Sequence, residues 1–135
     1  MAKKIKKVSK VIKIERTRKK RLQNLYDNRN SLLTLEETWT PAVDIVVKHD
    51  RLILEVELPG VNREDITVHL SRNNIEIKGV KKDKLPKAGV SYFRLEREYG
   101  HFSRFVFLPY SVNPDKSEAT FENGILTIEM MKSDT

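Results

Sequence analysis

The side chains that most often catalyse reactions or bind metals are few in this sequence, and they do not cluster. There are three histidines and no cysteine. His49, His69 and His101 lack the spacing to Asp or Glu that a metal site needs. The acids are most simply strand-face and turn charges; they include Asp44, Glu55, Glu57, Glu64 and Asp65. With no phosphate-binding glycine loop and no serine in a nucleophile elbow, the sequence predicts no enzyme, cofactor or metal site.

The composition excludes several other classes of protein. Without cysteine there is no disulfide framework and no thiol chemistry, which is compatible with the cytoplasmic location that we expect. Apolar runs of only a few residues predict no membrane-spanning helix, and the basic start lacks the apolar stretch of a secretory signal. A length of 135 residues suits one domain plus an extension.

The positive charge is concentrated in an N-terminal arm, residues 1–38. Residues 1–22 hold eleven Lys and Arg and one acid, whereas the rest of the chain is mildly acidic. Nucleic acid or an anionic membrane is one candidate partner of the arm. We favour a solvated, partly disordered arm that sets oligomer geometry, because no aromatic residue alternates with the bases. Ile5, Val8 and Ile12 have helical spacing, so an amphipathic helix is an alternative.

Asn123-Gly124, between two alternating apolar runs, is a strong signal for a β-hairpin. A two-residue turn there pairs Phe121 with Leu126 and Ala119 with Ile128, which places apolar residues on one face. A turn at His49-Asp50 gives a second hairpin of the same kind.

Further strands are predicted at residues 66–70, 75–77, 90–98 and 102–108. Pro59-Gly60 and Gly79 are expected to end strands, 80–89 to form a loop and 113–115 a turn. Seven or eight short strands predict an all-β sandwich.

Four segments, in this order, resemble the Hsp20 family of small heat-shock proteins, whose core is the α-crystallin domain. They are Pro41-Ala42-Val43-Asp44-Ile45, Leu58-Pro59-Gly60-Val61-Asn62-Arg63-Glu64-Asp65-Ile66, the Gly100-x-Phe102-x-Arg104-x-Val106-x-Leu108-Pro109 pattern and Ala119-x-Phe121-x-Asn123-Gly124-Ile125-Leu126. The resemblance implies an immunoglobulin-like β-sandwich over residues 39–132, which leaves 133–135 as a truncated tail.

The resemblance also implies a function. Small heat-shock proteins of this family are ATP-independent holdases that bind partly unfolded client proteins and form homo-oligomers. We weigh two alternatives: a protein that binds nucleic acid or anionic membrane through its basic arm, and a purely structural dimerisation module.

For the homodimer, the resemblance to non-metazoan members implies a swapped strand. Residues 92–97, with Tyr92, Arg94 and Glu96, would pair with the partner's first domain strand, at Val43, Ile45 and Val47. Arg104 occupies the family's arginine position, and we expect it to pair with Glu96. The alternative is a hairpin of this segment with residues 102–108 of the same chain.

Phe105 and Phe107 depart from the family pattern, which is usually polar at these positions. They make both faces of their strand apolar. The strand is therefore either covered by the arm or exposed as a patch that binds clients.

The Ile-x-Ile/Val motif with which members usually end is missing here. In the family this motif docks in a groove, which would be lined here by Val68, Leu70, Ala119 and Phe121. Ile12-Lys13-Ile14 offers two isoleucines that point the same way in an extended segment, so we expect it to dock there. The alternatives are that residues 8–14 form a helix, or that the chain is truncated and the groove is empty.

Overall fold

The computed structural model describes residues 11–16 and 37–133, whose regular secondary structure is almost entirely β-strand. The strands are β1 (Val11–Ile12), β2 (Ile14–Arg16), β3 (Glu37–Trp39), β4 (Val43–Lys48), β5 (Arg51–Glu57), β6 (Ile66–Leu70), β7 (Asn74–Lys81), β8 (Gly100–Phe107), β9 (Val112–Glu122) and β10 (Ile125–Lys132). A 3-10 turn at Arg63–Asp65 precedes β6, and the described residues contain no α-helix. Two five-stranded sheets result, so the predicted all-β sandwich is confirmed.

The first sheet has the order β1-β9-β10-β5-β4, and its neighbours are all antiparallel. The predicted hairpin at Asn123-Gly124 is confirmed, with Phe121 opposite Leu126. Its turn works because Asn123 (φ 55°) and Gly124 (φ 77°) both take the left-handed conformation that such a tight turn requires. The β4–β5 hairpin is also confirmed, since Ile45 lies opposite Leu54.

The second sheet has the order β2-β6-β7-β8-β3. Its three central strands are antiparallel, whereas the two outer strands run parallel to their neighbours, β2 to β6 and β3 to β8. Trp39 fastens β3, because its indole Nε1 donates to the carbonyl of Gly100 at 3.1 Å and its ring packs against Phe102 at 5.0 Å. In this order β6 lies next to the outer strand β2, as β9 lies next to the outer strand β1 in the first sheet.

The core lies between the two sheets and consists of the side chains, every second one along a strand, that face the opposite sheet. Its fully buried side chains include Leu52, Leu54, Val56, Leu58, Val68, Leu70, Ile75, Ile77, Leu126, Ile128 and Met130. Phe102 has the largest of the fully buried side chains. The alternation of period two that predicted the strands thus also identifies the side chains that hold the sheets together.

Gly79 does not end a strand, as the sequence had predicted, because β7 continues through it to Lys81. The glycine serves a close approach instead. A β-carbon at position 79 would lie 2.1 Å from the carbonyl oxygen of Asp65 and 2.7 Å from Cζ of Phe102. Glycine is therefore needed at this position for space rather than for chain reversal.

Residues 113–115 were expected to be a turn between strands but lie inside β9 as a β-bulge. Met130 is opposite Ser117 whereas Met131 is opposite Asn113, so three extra residues bulge from β9. Local turn chemistry is still present, since the amide of Asp115 donates to Oδ1 of Asn113 and the Ser117 hydroxyl donates to the Pro114 carbonyl. The turn-forming residues thus bend the strand without ending it.

The strand predicted at residues 90–98 is absent from the single chain. Residues 82–99 connect β7 to β8 without any strand, and the hairpin with residues 102–108, which was the alternative to strand exchange, does not form. β8 has its two edges occupied by β7 and β3, so neither edge is available to this segment.

Candidate docking groove, strand edge and apolar patch

Residues 11–16 lie along one open side of the sandwich, between β9 of the first sheet and β6 of the second. β1 pairs antiparallel with β9, where Ile12 faces Ala119. β2 pairs parallel with β6, where Ile14 faces Val68 and Glu15 faces His69. One short segment therefore adds a strand to each sheet.

The two isoleucines of this segment are buried in the groove. Ile12 and Ile14 belong to the core, whereas Lys13 between them is exposed. Burial of an isoleucine side chain stabilises on the order of 1.5–3 kcal/mol. The structure thus brings together the residues named for this site from the sequence; they are Ile12, Ile14, Val68, Leu70, Ala119 and, half-buried, Phe121. For residues 11–16 the backbone is extended, while Ile5 and Val8 of the alternative helix lie outside the described residues.

Glu15 and His69 make a polar contact at the outer side of the groove. Oε2 of Glu15 lies 3.2 Å from Nδ1 of His69. The imidazole is only 7% exposed, whereas the carboxylate is 40% exposed. Alternation explains the placement, because Ile14 and Val68 face the core and their neighbours Glu15 and His69 therefore face outward.

β4 forms the free edge of the first sheet in the described part of the chain. Its only neighbour there is β5, and its apolar side chains are poorly covered: Ile45, Val46 and Val47 are 37%, 44% and 50% exposed. Of the residues predicted at this interface, Val43 alone packs partly against the core. The edge thus has unpaired backbone groups together with exposed apolar side chains.

The segment predicted to swap, residues 92–97, is exposed along its length. Phe93 is fully exposed, and Tyr92 and Leu95 are also largely exposed. The Tyr92 hydroxyl donates to Oδ2 of Asp83 at 2.7 Å. This hydrogen bond and a second one from the Leu85 amide lower the pKa of Asp83, and the same bond to Asp83 raises the pKa of Tyr92.

Arg104 and Glu96 are not brought together in the single chain. Glu96 accepts a hydrogen bond from Arg94 at 2.8 Å, and both side chains are exposed. Arg104 lies half-buried on β8. Their expected pairing belongs to a dimer and stays a prediction.

Phe105 and Phe107 form an apolar patch on the outer face of β8. Their rings make an edge-to-face contact with centroids 5.0 Å apart. Phe105 is half-buried and Phe107 is 65% exposed. The inward residues of the same strand, Phe102 and Val106, pack in or against the core, so the patch is additional to the core.

Comparison with known proteins identifies the family. The model of the Hsp20/alpha crystallin family matches residues 44–135. The chain belongs to the Hsp20/alpha crystallin family.

Two curated relatives come from Rickettsia felis. Small heat shock protein C2 is 36% identical over 124 residues, which are 87% of this chain and 80% of that protein. Small heat shock protein C4 is 37% identical over 95 residues, 70% of this chain and 58% of that protein. Among solved structures, heat shock protein 16.0 from Schizosaccharomyces pombe is similar, with a TM-score of 0.66 and 32% identity over 73% of this chain and 94% of that one.

Membership in the Hsp20 family implies a chaperone function, and its homologues are chaperones rather than enzymes. Members of the family form homo-oligomers and bind unfolded clients. The predicted division of the chain at residues 38/39 and 132/133 stays a prediction. Within residues 11–16 and 37–133, no three His, Asp or Glu are grouped so as to hold a metal ion, and no helix is long and apolar enough to cross a bilayer.

Sequence reasoning missed the contact between Glu15 and His69 in this Hsp20 chain. Alternation places His69 on the polar side of its strand, and the isoleucine pair indicates that residues 12–14 dock in the groove. Only the register of β2 on β6 identifies Glu15 as the residue opposite His69. No pattern within either segment contains that information.

Proposed function

We propose that this protein is an ATP-independent holdase that binds partly unfolded proteins and prevents their aggregation in the cytoplasm. The observation that carries the proposal is the patch of Phe105 and Phe107. The side chain of Phe107 is 65% exposed, and neither phenylalanine belongs to the core between the sheets. Unfolding clients expose apolar surface, and an exposed aromatic pair offers a surface for it without any nucleotide.

An aggregation assay run beside RNA and liposome binding assays tests this proposal against the alternative based on the basic arm. We expect the full chain to suppress aggregation of a heat-labile client without ATP. Deletion of residues 1–10 is the matched variant, because it removes five lysines but keeps β1 and β2. Failure to protect clients, combined with RNA or liposome binding that weakens with salt and is lost in this deletion, would favour the alternative.

We further propose that two copies form a dimer by exchanging residues 92–97, which pair with β4 of the partner. Two features support this exchange. β4 has a free outer edge within the described residues, and the segment that would cover it exposes Tyr92, Phe93 and Leu95. Pairing would satisfy the edge with main-chain hydrogen bonds.

We propose, finally, that Ile12 and Ile14 are the docking residues of the groove. Their burial beside Ala119 and Val68 supports this proposal. Light scattering should show a changed oligomer size for Ile12→Ser/Ile14→Ser, whereas Lys13→Ser, which alters the exposed residue between them, should leave the size unchanged. An oligomer of unchanged size in the double variant would contradict this role in assembly.

A further inference from the structure

His69 lies between two acidic residues on the outer face of the second sheet. Glu15 faces it from β2, with Oε2 3.2 Å from Nδ1, and Glu76 is its register partner on β7. His69 and Glu76 are both about 94% buried. The imidazole is thus held beside the groove where a carboxylate of the docked segment meets it.

The remaining groups on this face differ in charge or polarity. Lys78 of β7 is the register partner of Thr67, one pair further along, and Phe105 of β8 lies beyond Glu76. The two acids therefore share the row of His69, and Lys78 lies in the neighbouring row. Glu15, directly after Ile14, is the residue of the docked segment that lies in the row of His69.

We infer that the groove recognises Ile-x-Ile followed by an acidic residue, and that His69 is the residue that selects the acid. The occupant is the chain's own segment, Ile12-Lys13-Ile14-Glu15. The isoleucines supply burial, and the contact with His69 distinguishes this segment from other paired isoleucines. This inference rests on the proposed docking of Ile12 and Ile14.

Hydrogen exchange of the full-length protein at one fixed pH tests the inference, with amides of residues 14–16 as the readout. We expect Glu15→Gln and His69→Gln each to lower the protection of these amides about threefold, the size of effect typical of a contact between partly exposed polar groups. Lys13→Gln, which changes a charge in the same segment, should leave the protection unchanged.

Protection that is present but unchanged in Glu15→Gln would overturn the selection by His69 while leaving docking intact. Absence of protection in the wild type would overturn docking itself, and client protection in the aggregation assay reports on the holdase separately. Because His69 is buried, its replacement could unfold the protein, and the protection of amides in β5 and β10 checks the folding of each variant. If His69→Gln is unfolded, Glu15→Gln decides the test, since the side chain of Glu15 is half-exposed.

Discussion

The ring of Phe102 occupies the space that a side chain at Gly79 would need. The two residues face each other across β7 and β8, and a β-carbon at position 79 would lie 2.7 Å from Cζ of Phe102. The carbonyl of Asp65 lies closer still, at 2.1 Å from the same β-carbon position. Neither group can retreat easily, since Phe102 is buried in the core and the carbonyl belongs to the backbone.

Gly79→Ala should therefore destabilise the fold by about 1–3 kcal/mol or more through overpacking. Urea unfolding at a fixed protein concentration measures the loss. Lys78→Ala, at the exposed neighbouring position, should stay within about 0.5 kcal/mol of the wild type. Equal stability of both variants would mean that β7 shifts to accommodate the methyl group.

Phe105→Ser/Phe107→Ser should keep the sandwich folded but weaken protection of an aggregating client, because the patch is not part of the core. The measurement is client light scattering over time at several chaperone ratios. Leu85→Ser is the control, since it removes an apolar side chain of similar exposure elsewhere. If the double variant loses its fold, the rings are structural and the client patch lies elsewhere.

Arg104→Ala should convert the dimer to a monomer if Arg104 pairs with Glu96 of the exchanged segment. Removing one partner of a buried ion pair costs about 3–5 kcal/mol, which is enough to shift a dimer equilibrium strongly. Size-exclusion chromatography with light scattering shows the change. Arg51→Ala breaks an exposed pair with Glu129 on the other sheet and should have little effect. A dimer of unchanged stability in Arg104→Ala would argue against this role.

Tyr92→Phe should raise the pKa of Asp83 toward its ordinary value, because the Tyr92 hydroxyl bond is the largest cause of its lowered pKa. The sign follows from linkage: the bond favours the carboxylate, so it is formed at neutral pH and is lost as the pH falls through the lowered pKa. NMR titration of the Asp83 carboxyl measures the shift. In the reciprocal variant, Asp83→Asn, the raised pKa of Tyr92 should fall. A pKa of Asp83 that is the same with and without the hydroxyl would show that the bond does not form in solution.

Local patterns predicted those parts of the fold whose cause is local. The turns at Asn123-Gly124 and His49-Asp50 fix their own registers, so the hairpins they join are correctly predicted. The prediction that Gly79 ends a strand was wrong, because glycine is needed there to make room for the ring of Phe102, which is distant in sequence. The segment Asn113-Pro114-Asp115 favours a turn by its sequence, but it forms a bulge within β9 because β10 pairs with the residues on both sides of it.

The candidate site divides in the same way. Spacing identified Ile12 and Ile14 as residues that point together, whereas the groove and the residues that line it were implied by the resemblance to the Hsp20 family. Glu15 beside His69 depends on how two segments 54 positions apart are aligned, which no spacing within either segment specifies. The segment 90–98 forms no strand in the single chain, and the alternative of a hairpin with residues 102–108 fails because both edges of β8 are already paired.

Residues 11–16 cover an edge of β9 and an edge of β6 at the same time. The two coverings belong to one short segment and are joined through a single residue, Lys13. Withdrawal of this segment would expose two strand edges in one event, one on each sheet. Release of these six residues would then give the protein two sites, one on β9 and one on β6, at which an extended chain can add a strand.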